Sequence, residues 1–326
     1  LQQLVKLSTK TLDELKKGKN LLAYSAGSDS TALFYILKSY DIGFDIALVN
    51  YKTRDESDKE EAYAKELAKK YKKSCFTLIC KLKDSNFEHN ARLKRYEFFE
   101  KLIKENSYTN LITAHHLNDK FEWFLMQLSR GAGVVELSGM SEIEKKEDYT
   151  IIRPLLQTSK DDILKFLKTN KIKYFLDSSN TDTKYFRNRI RAEFASSFVK
   201  EYKEGIKRSF NYLQNDASRL QPKLLKKVKK LYILKKSSDD LINIRGIDKV
   251  LKTLGVLLSK PMRDEVLRTK DCIVSDKIVI VFSEDKIYIS PTCKDIVMDK
   301  KFKEACRVAK IPAKIRPYMY KENITL

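Results

Sequence analysis

Tyr24-Ser25-Ala26-Gly27-Ser28-Asp29-Ser30-Thr31 lies between an apolar run, Leu21-Leu22-Ala23-Tyr24, and a segment from Thr31 to Leu37 that reads as the start of a helix. A strand feeding a turn of small residues that opens into a helix makes a ready anion site. The first N–H groups of the helix have no internal partner, and the macrodipole favours negative charge there. Ser25, Ser28 and Ser30 add hydroxyl donors, and Gly27 admits backbone angles closed to other residues. The composition suits a pyrophosphate group, with Ser25, Ala26, Gly27, Ser28, Asp29 and Ser30 as the binding residues. No Gly-Lys-Ser/Thr follows, so this is not a Walker A loop.

Outward from the turn, Leu21–Tyr24, Ile46–Val49, Phe76–Ile79 and Leu111–Thr113 read as buried parallel strands. Helical patterns near Thr31–Tyr40, Glu56–Tyr71 and Phe87–Glu105 separate them. This alternation predicts an α/β fold with a parallel, doubly wound sheet and ligands at the carboxyl ends of its strands. The serine turn follows the first strand and His115 the fourth, so both are expected on one rim. Ser159 with Asp162 three residues on forms a capping box. From about Ser196 to Leu234 the chain reads as basic and helical, and Lys277–Val281 with Lys286–Ile289 as a hairpin. The expected division is a catalytic domain over 1–195, a basic, mostly helical domain over 196–290, and a short α+β tail over 291–326.

The composition narrows the function. Hydrophobic residues make up 42% and aromatics 10%, which argues against wholesale disorder. No apolar run approaches a membrane span, and the first twenty residues lack an apolar signal core. A cytoplasmic location with no membrane partner is expected, and homodimer formation is left open. Five cysteines without close pairs and only three histidines argue against a structural zinc site. Formal charge is +21, and residues 184–230 alone hold fourteen Lys/Arg against four Asp/Glu. Tyr185, Phe186, Tyr202 and Tyr212 interleave with that basic stripe, the pattern a phosphate-backbone partner needs; a merely solvated lysine-rich face is the plain alternative.

A second constellation closes the fourth strand: Ala114-His115-His116-Leu117-Asn118-Asp119, with Glu122 three residues further on. Asp119 and Glu122 fall on one helical face near its start, where carboxylates are favoured. They are candidates for a magnesium ligand or an amine holder, and a neighbouring His can move a proton.

The serine turn resembles the Ser-Gly-Gly-x-Asp-Ser signature of the PP-loop ATP pyrophosphatases. Ala26 stands where that family has its first Gly, a change that costs little unless the position needs a positive φ. With His116-Leu117-Asn118-Asp119-Lys120-Phe121-Glu122-Trp123 the pattern resembles the tRNA(Ile)-lysidine synthetases, with Lys120 for Gln and Trp123 for Thr. Further matches follow in order: Val49-Asn50 with Arg54-Asp55-Glu56-Ser57, then Ala91-Arg92-Leu93-Lys94-Arg95-Tyr96. After them come Ser129-Arg130-Gly131-Ala132-Gly133 and Arg153-Pro154-Leu155-Leu156, then Asp177-Ser178-Ser179-Asn180 with Tyr185-Phe186-Arg187-Asn188-Arg189-Ile190-Arg191.

The resemblance implies that free L-lysine is joined, at the expense of ATP, to the wobble cytidine of an isoleucine tRNA with a CAU anticodon. It implies Mg2+ on Asp29 and Asp119, and catalysis by Asp29, His115, His116, Asp119 and Glu122, the last holding the lysine amine. Substrates would meet Arg92, Arg95, Arg130, Arg187, Asn188 and Arg191. Two other readings fit the same fold: a PP-loop tRNA thiolase, which would require cysteines near the rim, and a non-catalytic RNA-binding protein.

Overall fold

The computed structural model describes residues 2, 5–53, 56–81, 87–175, 185–220 and 222–325, apart from the side chain of Glu88. Arg54, Asp55, Asp177-Ser178-Ser179-Asn180 and Lys184 lie outside the described residues. The chain divides into two units, 1–214 and 215–326, each built on its own sheet.

In the first unit, α1 (Thr9–Lys17) leads to β1 (Asn20–Ala23), α2 (Ser28–Ser39), β2 (Asp45–Asn50), α3 (Glu56–Lys70), β3 (Cys75–Ile79) and α4 (Phe87–Asn106). Then come β4 (Asn110–Ile112), α5 (Leu117–Leu128), α6 (Val134–Leu137), β5 (Ile143–Lys145), β6 (Thr150–Ile152) and α7 (Lys160–Thr169). The four apolar runs are strands because neighbouring residues bury on opposite faces. Leu22, Ile46, Leu48, Ile112 and Ile152 join one core with Leu33, Phe34, Leu67 and Phe166. Leu21, Ala47, Leu111 and Ile151 join the other with Phe99, Leu102 and Ile103 of α4. That two-residue period, buried on both sides, produces the continuous apolar runs of a doubly covered sheet.

The strand order is β3-β2-β1-β4-β6-β5, parallel except for the edge strand β5. From β1 the chain winds outward through β2 and β3, then returns to pair β4 on the other side of β1. The switch point therefore falls between the carboxyl ends of β1 and β4, where open α/β sheets bind ligands.

A long helix ends the unit: α8 (Phe186–Ile190), a π-helical turn (Arg191–Ala195) and α9 (Ser196–Arg219). Its joints at Ile190, Arg191 and Ser196 stay in right-handed helical angles, and one bend occurs at Tyr202 (φ −115°, ψ 21°).

The second unit holds β7 (Leu224–Val228), β8 (Leu231–Lys235), α10 (Asp240–Thr253), α11 (Lys260–Thr269), β9 (Asp271–Val274), β10 (Ile278–Phe282), β11 (Lys286–Pro291), α12 (Lys300–Val308) and α13 (Arg316–Lys321). Its antiparallel sheet runs β7-β8-β11-β10-β9. Leu234, Ile280 and Ile289 pack on Ile247 and Leu251 of α10. On the other face Ile233, Val279 and Tyr288 pack on Cys306, Ile315 and Met319.

Two expectations change here. Leu224–Lys235 is a hairpin, not helix, and residues 291–326 cover the same sheet as the strands before them rather than standing apart. The boundary lies inside α9, at 214/215. Glycine is scarce, nine in 326 residues. Lysines take the left-handed position beyond several helices: Lys72, Lys171, Lys270 and Lys310, with φ of 53°, 51°, 55° and 53°.

Candidate active site at the switch point

The turn after β1 is held from inside. Ser25 N–H donates to Ser30 Oγ (3.2 Å), and Ser30 Oγ donates to Gly27 O (3.3 Å). Phe175 N–H donates to Ala26 O (3.0 Å). Gly27 is the N-cap of α2 at φ −70°, ψ 169°, and no side chain caps the first-turn N–H groups. The unusual backbone angle falls one residue earlier. Ala26, fully buried, sits at φ 59°, so the special conformation expected of Gly27 belongs to the residue that replaces the family's first glycine.

Lys160, the first residue of α7, reaches into this turn. Its Nζ donates to Ser28 Oγ (2.7 Å) and Asp29 Oδ1 (2.5 Å). The sequence motifs did not point to it. A signal existed, since a lysine directly after the Ser159 N-cap opposes the helix macrodipole and needs an anionic neighbour.

His116 joins the two motifs. Its Nε2 lies 3.7 Å from Asp29 Oδ2 and its Nδ1 3.5 Å from Asp119 Oδ2. It is also the N-cap of α5: Asp119 N–H donates to Nδ1, and His116 N–H donates back to Asp119 Oδ2 (3.0 Å). An Nδ1 that accepts a backbone N–H leaves the proton of the neutral ring on Nε2, toward Asp29. Burial alone would raise the Asp119 carboxyl, but His116 and the Arg187 guanidinium outweigh it and hold the group well below the usual carboxylate range. Burial pushes His115 down to about 4, opposed in part by Asp119, and its Nδ1 lies 2.9 Å from Thr113 Oγ1.

Glu122 departs from expectation. Its side chain is 1% exposed, and both oxygens are taken. Arg187 Nε donates to Oε2 (2.9 Å), while Arg191 donates from Nε to Oε1 (2.7 Å) and from Nη2 to Oε2 (3.0 Å). Arg187 Nη2 also donates to Asp119 Oδ1 (2.7 Å). Two guanidiniums thus occupy the carboxylate expected to hold the lysine amine. Beside it, Lys120 points inward with its Nζ 4.6 Å from the centre of the Phe210 ring and no hydrogen-bond partner, and burial lowers its pKa to about 8.

The remaining candidates divide. Asn188 is buried in α8. Arg92 and Arg95 are exposed on α4; Arg92 packs over Tyr96 (4.9 Å) and lies near enough to His115 to lower its basicity. Arg130 follows the far end of α5, roughly 16 Å along the helix from Asp119 at 1.5 Å per residue, and is not brought to the site. Arg153 is structural: buried, it donates to Ser141 O (2.9 Å) and Glu144 Oε2 (2.8 Å) and ties down the β5–β6 hairpin.

The donor set suits a polyphosphate. An uncapped helix N-terminus, three serines and Lys160 converge on one turn, and Asp29 and Asp119 flank one imidazole. Magnesium usually takes one or two carboxylates and completes its shell with phosphate oxygens and water. Among the described residues no group of three or more His, Cys, Asp or Glu could cage a metal. Asp29 is the better-placed ligand, because both Asp119 oxygens already accept hydrogen bonds.

The PP-loop domain family matches residues 2–197. A protein of Campylobacter jejuni strain RM1221 named tRNA(Ile)-lysidine synthase is 49% identical over 315 residues, 96% of this chain and 95% of that one. The chain belongs to the tRNA(Ile)-lysidine synthase family. Lysidine synthases of Wolinella succinogenes and Helicobacter pylori strain 26695 are 42% and 40% identical, across 96% and 95% of this chain and 96% and 92% of theirs. The fold alone is shared with a U34-tRNA thiolase, NcsA, of Methanococcus maripaludis: TM-score 0.52, 15% identity, 77% of this chain and 88% of that one. Lysidine synthases are ligases of the PP-loop ATP pyrophosphatase group, and neither the thiolase reading nor the non-catalytic one is favoured for this chain. Of the cysteines in the first unit, Cys75 opens β3 and Cys80 follows it, two strands or roughly 10 Å across the sheet from β1.

Proposed function

We propose that this chain joins the ε-amine of L-lysine to the wobble cytidine of isoleucine tRNA with a CAU anticodon, consuming ATP. The cytidine carbonyl oxygen attacks the α-phosphorus and pyrophosphate leaves. The amine then attacks the ring carbon, and AMP departs with that oxygen. The observation that supports this most is the His116 imidazole set between Asp29 of one motif and Asp119 of the other.

The Ser25–Ser30 turn and the open N-terminus of α2 hold the pyrophosphate portion. Lys160 transfers from Asp29 to phosphate as the nucleotide arrives, leaving Asp29 for Mg2+, which would offset repulsion among phosphate oxygens. Asp119 orients His116 and Arg187. Glu122 positions Arg187 and Arg191 instead of meeting lysine. Arg187, half-exposed, meets developing phosphate charge, and Arg92 grips the lysine carboxylate. His116 presents its Nε2–H toward Asp29, which turns that carboxylate to the phosphates.

Incubation with ATP, Mg2+, labelled lysine and the isoleucine tRNA should place label in the tRNA with one AMP and one pyrophosphate per lysine. A tRNA with uridine at the wobble position should stay unlabelled. Absence of label with the cytidine tRNA would sink the proposal.

A further inference from the structure

Phe194, Phe198 and Tyr202 recur every four residues along the helix that carries Arg187 and Arg191, and they are 53%, 48% and 50% exposed. Large apolar rings that far into solvent, in a row, are unusual on a face with no partner. Two of them continue a row of rings from the core. Phe198 lies 5.3 Å from Phe121 with rings 12° apart, Phe121 lies 6.0 Å from Phe124 at 11°, and Phe198 meets Tyr202 at 4.9 Å with the rings tilted by 51°. The row thus starts inside the unit, next to Glu122, and ends in solvent, with Phe194 standing one helical turn before it.

The π-helical turn explains the exposure. At 100° per residue an unbroken α-helix would put residues 187, 191, 194, 198 and 202 within one narrow face. The extra residue of a π turn rotates the rest of the helix by about 100°. The arginines stay on Glu122, Phe194 sits within the turn, and Phe198 and Tyr202 beyond it swing off that face. Cations flank them: between Tyr185 and Arg208 the chain carries seven Lys/Arg against three Glu, with Arg189, Lys200 and Arg208 exposed.

Aromatic rings open to solvent, bordered by cations, fit unpaired nucleobases rather than an apolar protein face, since every base offers a π surface and its backbone a phosphate. We propose that Phe194, Phe198 and Tyr202 form a stacking platform for the single-stranded bases that flank the target cytidine. The assignment rests on the proposed RNA substrate and adds the residues that receive its loop. The platform grips bases; the surrounding Arg and Lys grip phosphates.

The test uses the full-length protein and a 17-nucleotide anticodon stem-loop RNA, with affinity measured by fluorescence anisotropy across a salt series. Phe194→Leu/Tyr202→Leu keeps apolar volume and removes two π faces. Affinity should fall at least about tenfold, since one base stack is worth roughly 5- to 150-fold, with the salt slope unchanged because no phosphate contact is lost. Phe194→Tyr should retain parental affinity. A thermal melt shows that the variants fold, and Phe194→Leu alone removes a ring that has no aromatic partner in the core. Unchanged affinity, a slope that falls in step with affinity, equal loss on a blunt duplex without a loop, or no binding of the stem-loop by the parent would overturn the proposal. So would capture of a protein by this face in preference to the RNA. The assay needs neither ATP nor lysine. A parent that binds the loop but never incorporates lysine sinks the proposed reaction and leaves the platform standing.

Discussion

At the scale of single residues, Ala26 shows where a small departure from a family pattern carries a physical cost. Its φ of 59° puts a Cβ where only glycine sits without penalty, an expense of roughly 1–2 kcal/mol. Ala26→Gly relieves that strain but loses a buried methyl worth about 0.8 kcal/mol and frees the unfolded chain by about 0.4–1 kcal/mol. The terms nearly cancel, so urea unfolding should place Ala26→Gly within about 1 kcal/mol of the parent. Ala26→Val, whose branched side chain tolerates left-handed angles far less, should cost about 3 kcal/mol and weaken ATP binding. His115 gives a pH test. Unfolding returns its imidazole to the ordinary value of 6.5, so between 6.5 and about 4 the unfolded chain takes up a proton that the folded chain refuses. Stability should therefore fall as pH drops through that window, by up to about 3 kcal/mol. In His115→Gln the slope between pH 5 and 6.5 should flatten in melting curves. The loss below pH 4, where Asp119 and other carboxylates protonate, should remain.

At the scale of elements, α5 and α8 are fastened by a charge cluster around the buried Glu122: Glu122 and Asp119 on one, Arg187 on the other, with Arg191 in the π-helical turn. Breaking such a pair leaves charges uncompensated, and Glu122→Ala should cost about 3 kcal/mol in urea unfolding. If Glu122 held the lysine amine instead, its loss would raise the lysine KM without this destabilisation. The strands around the site were legible because burial on both faces leaves unbroken apolar runs such as Leu21–Tyr24 and Ile46–Val49. The rim followed, since each motif comes directly after a strand. The β7–β8 hairpin was not legible. Leu224 and Leu225 are exposed, the strands are lysine-rich, and Lys229 takes the left-handed turn position at φ 52° where Asn or Gly would give the signal. The partners of Glu122 were hidden for another reason: its contacts come from residues 65 and 69 positions away in sequence.

For the whole molecule, the basic stripe divides between the units, and the lysines in it are not equivalent. Lys229 donates to Glu322 O (2.8 Å) and pairs with its carboxylate (3.0 Å), and Lys227 lies over the Tyr232 ring at 5.5 Å. Lys226 and Lys230 are exposed on the same hairpin. Neutralising Lys226 and Lys230 to Gln should lower the salt slope of tRNA binding by roughly two units, one per phosphate contact. Adding Lys227→Gln and Lys229→Gln should change it little further, and ATP affinity should not move in either variant. A full slope in the double variant would place the RNA elsewhere on the surface. The π-helical turn also has a genetic consequence. Losing one codon between Arg191 and Ala195 would remove no charge if it encoded Ala192, and would leave every motif residue in place. Yet the helix beyond it would be rephased, carrying Phe198 and Tyr202 back toward the arginine face. In this stretch a one-residue deletion is more disruptive than most substitutions, because it alters the bearing of everything downstream.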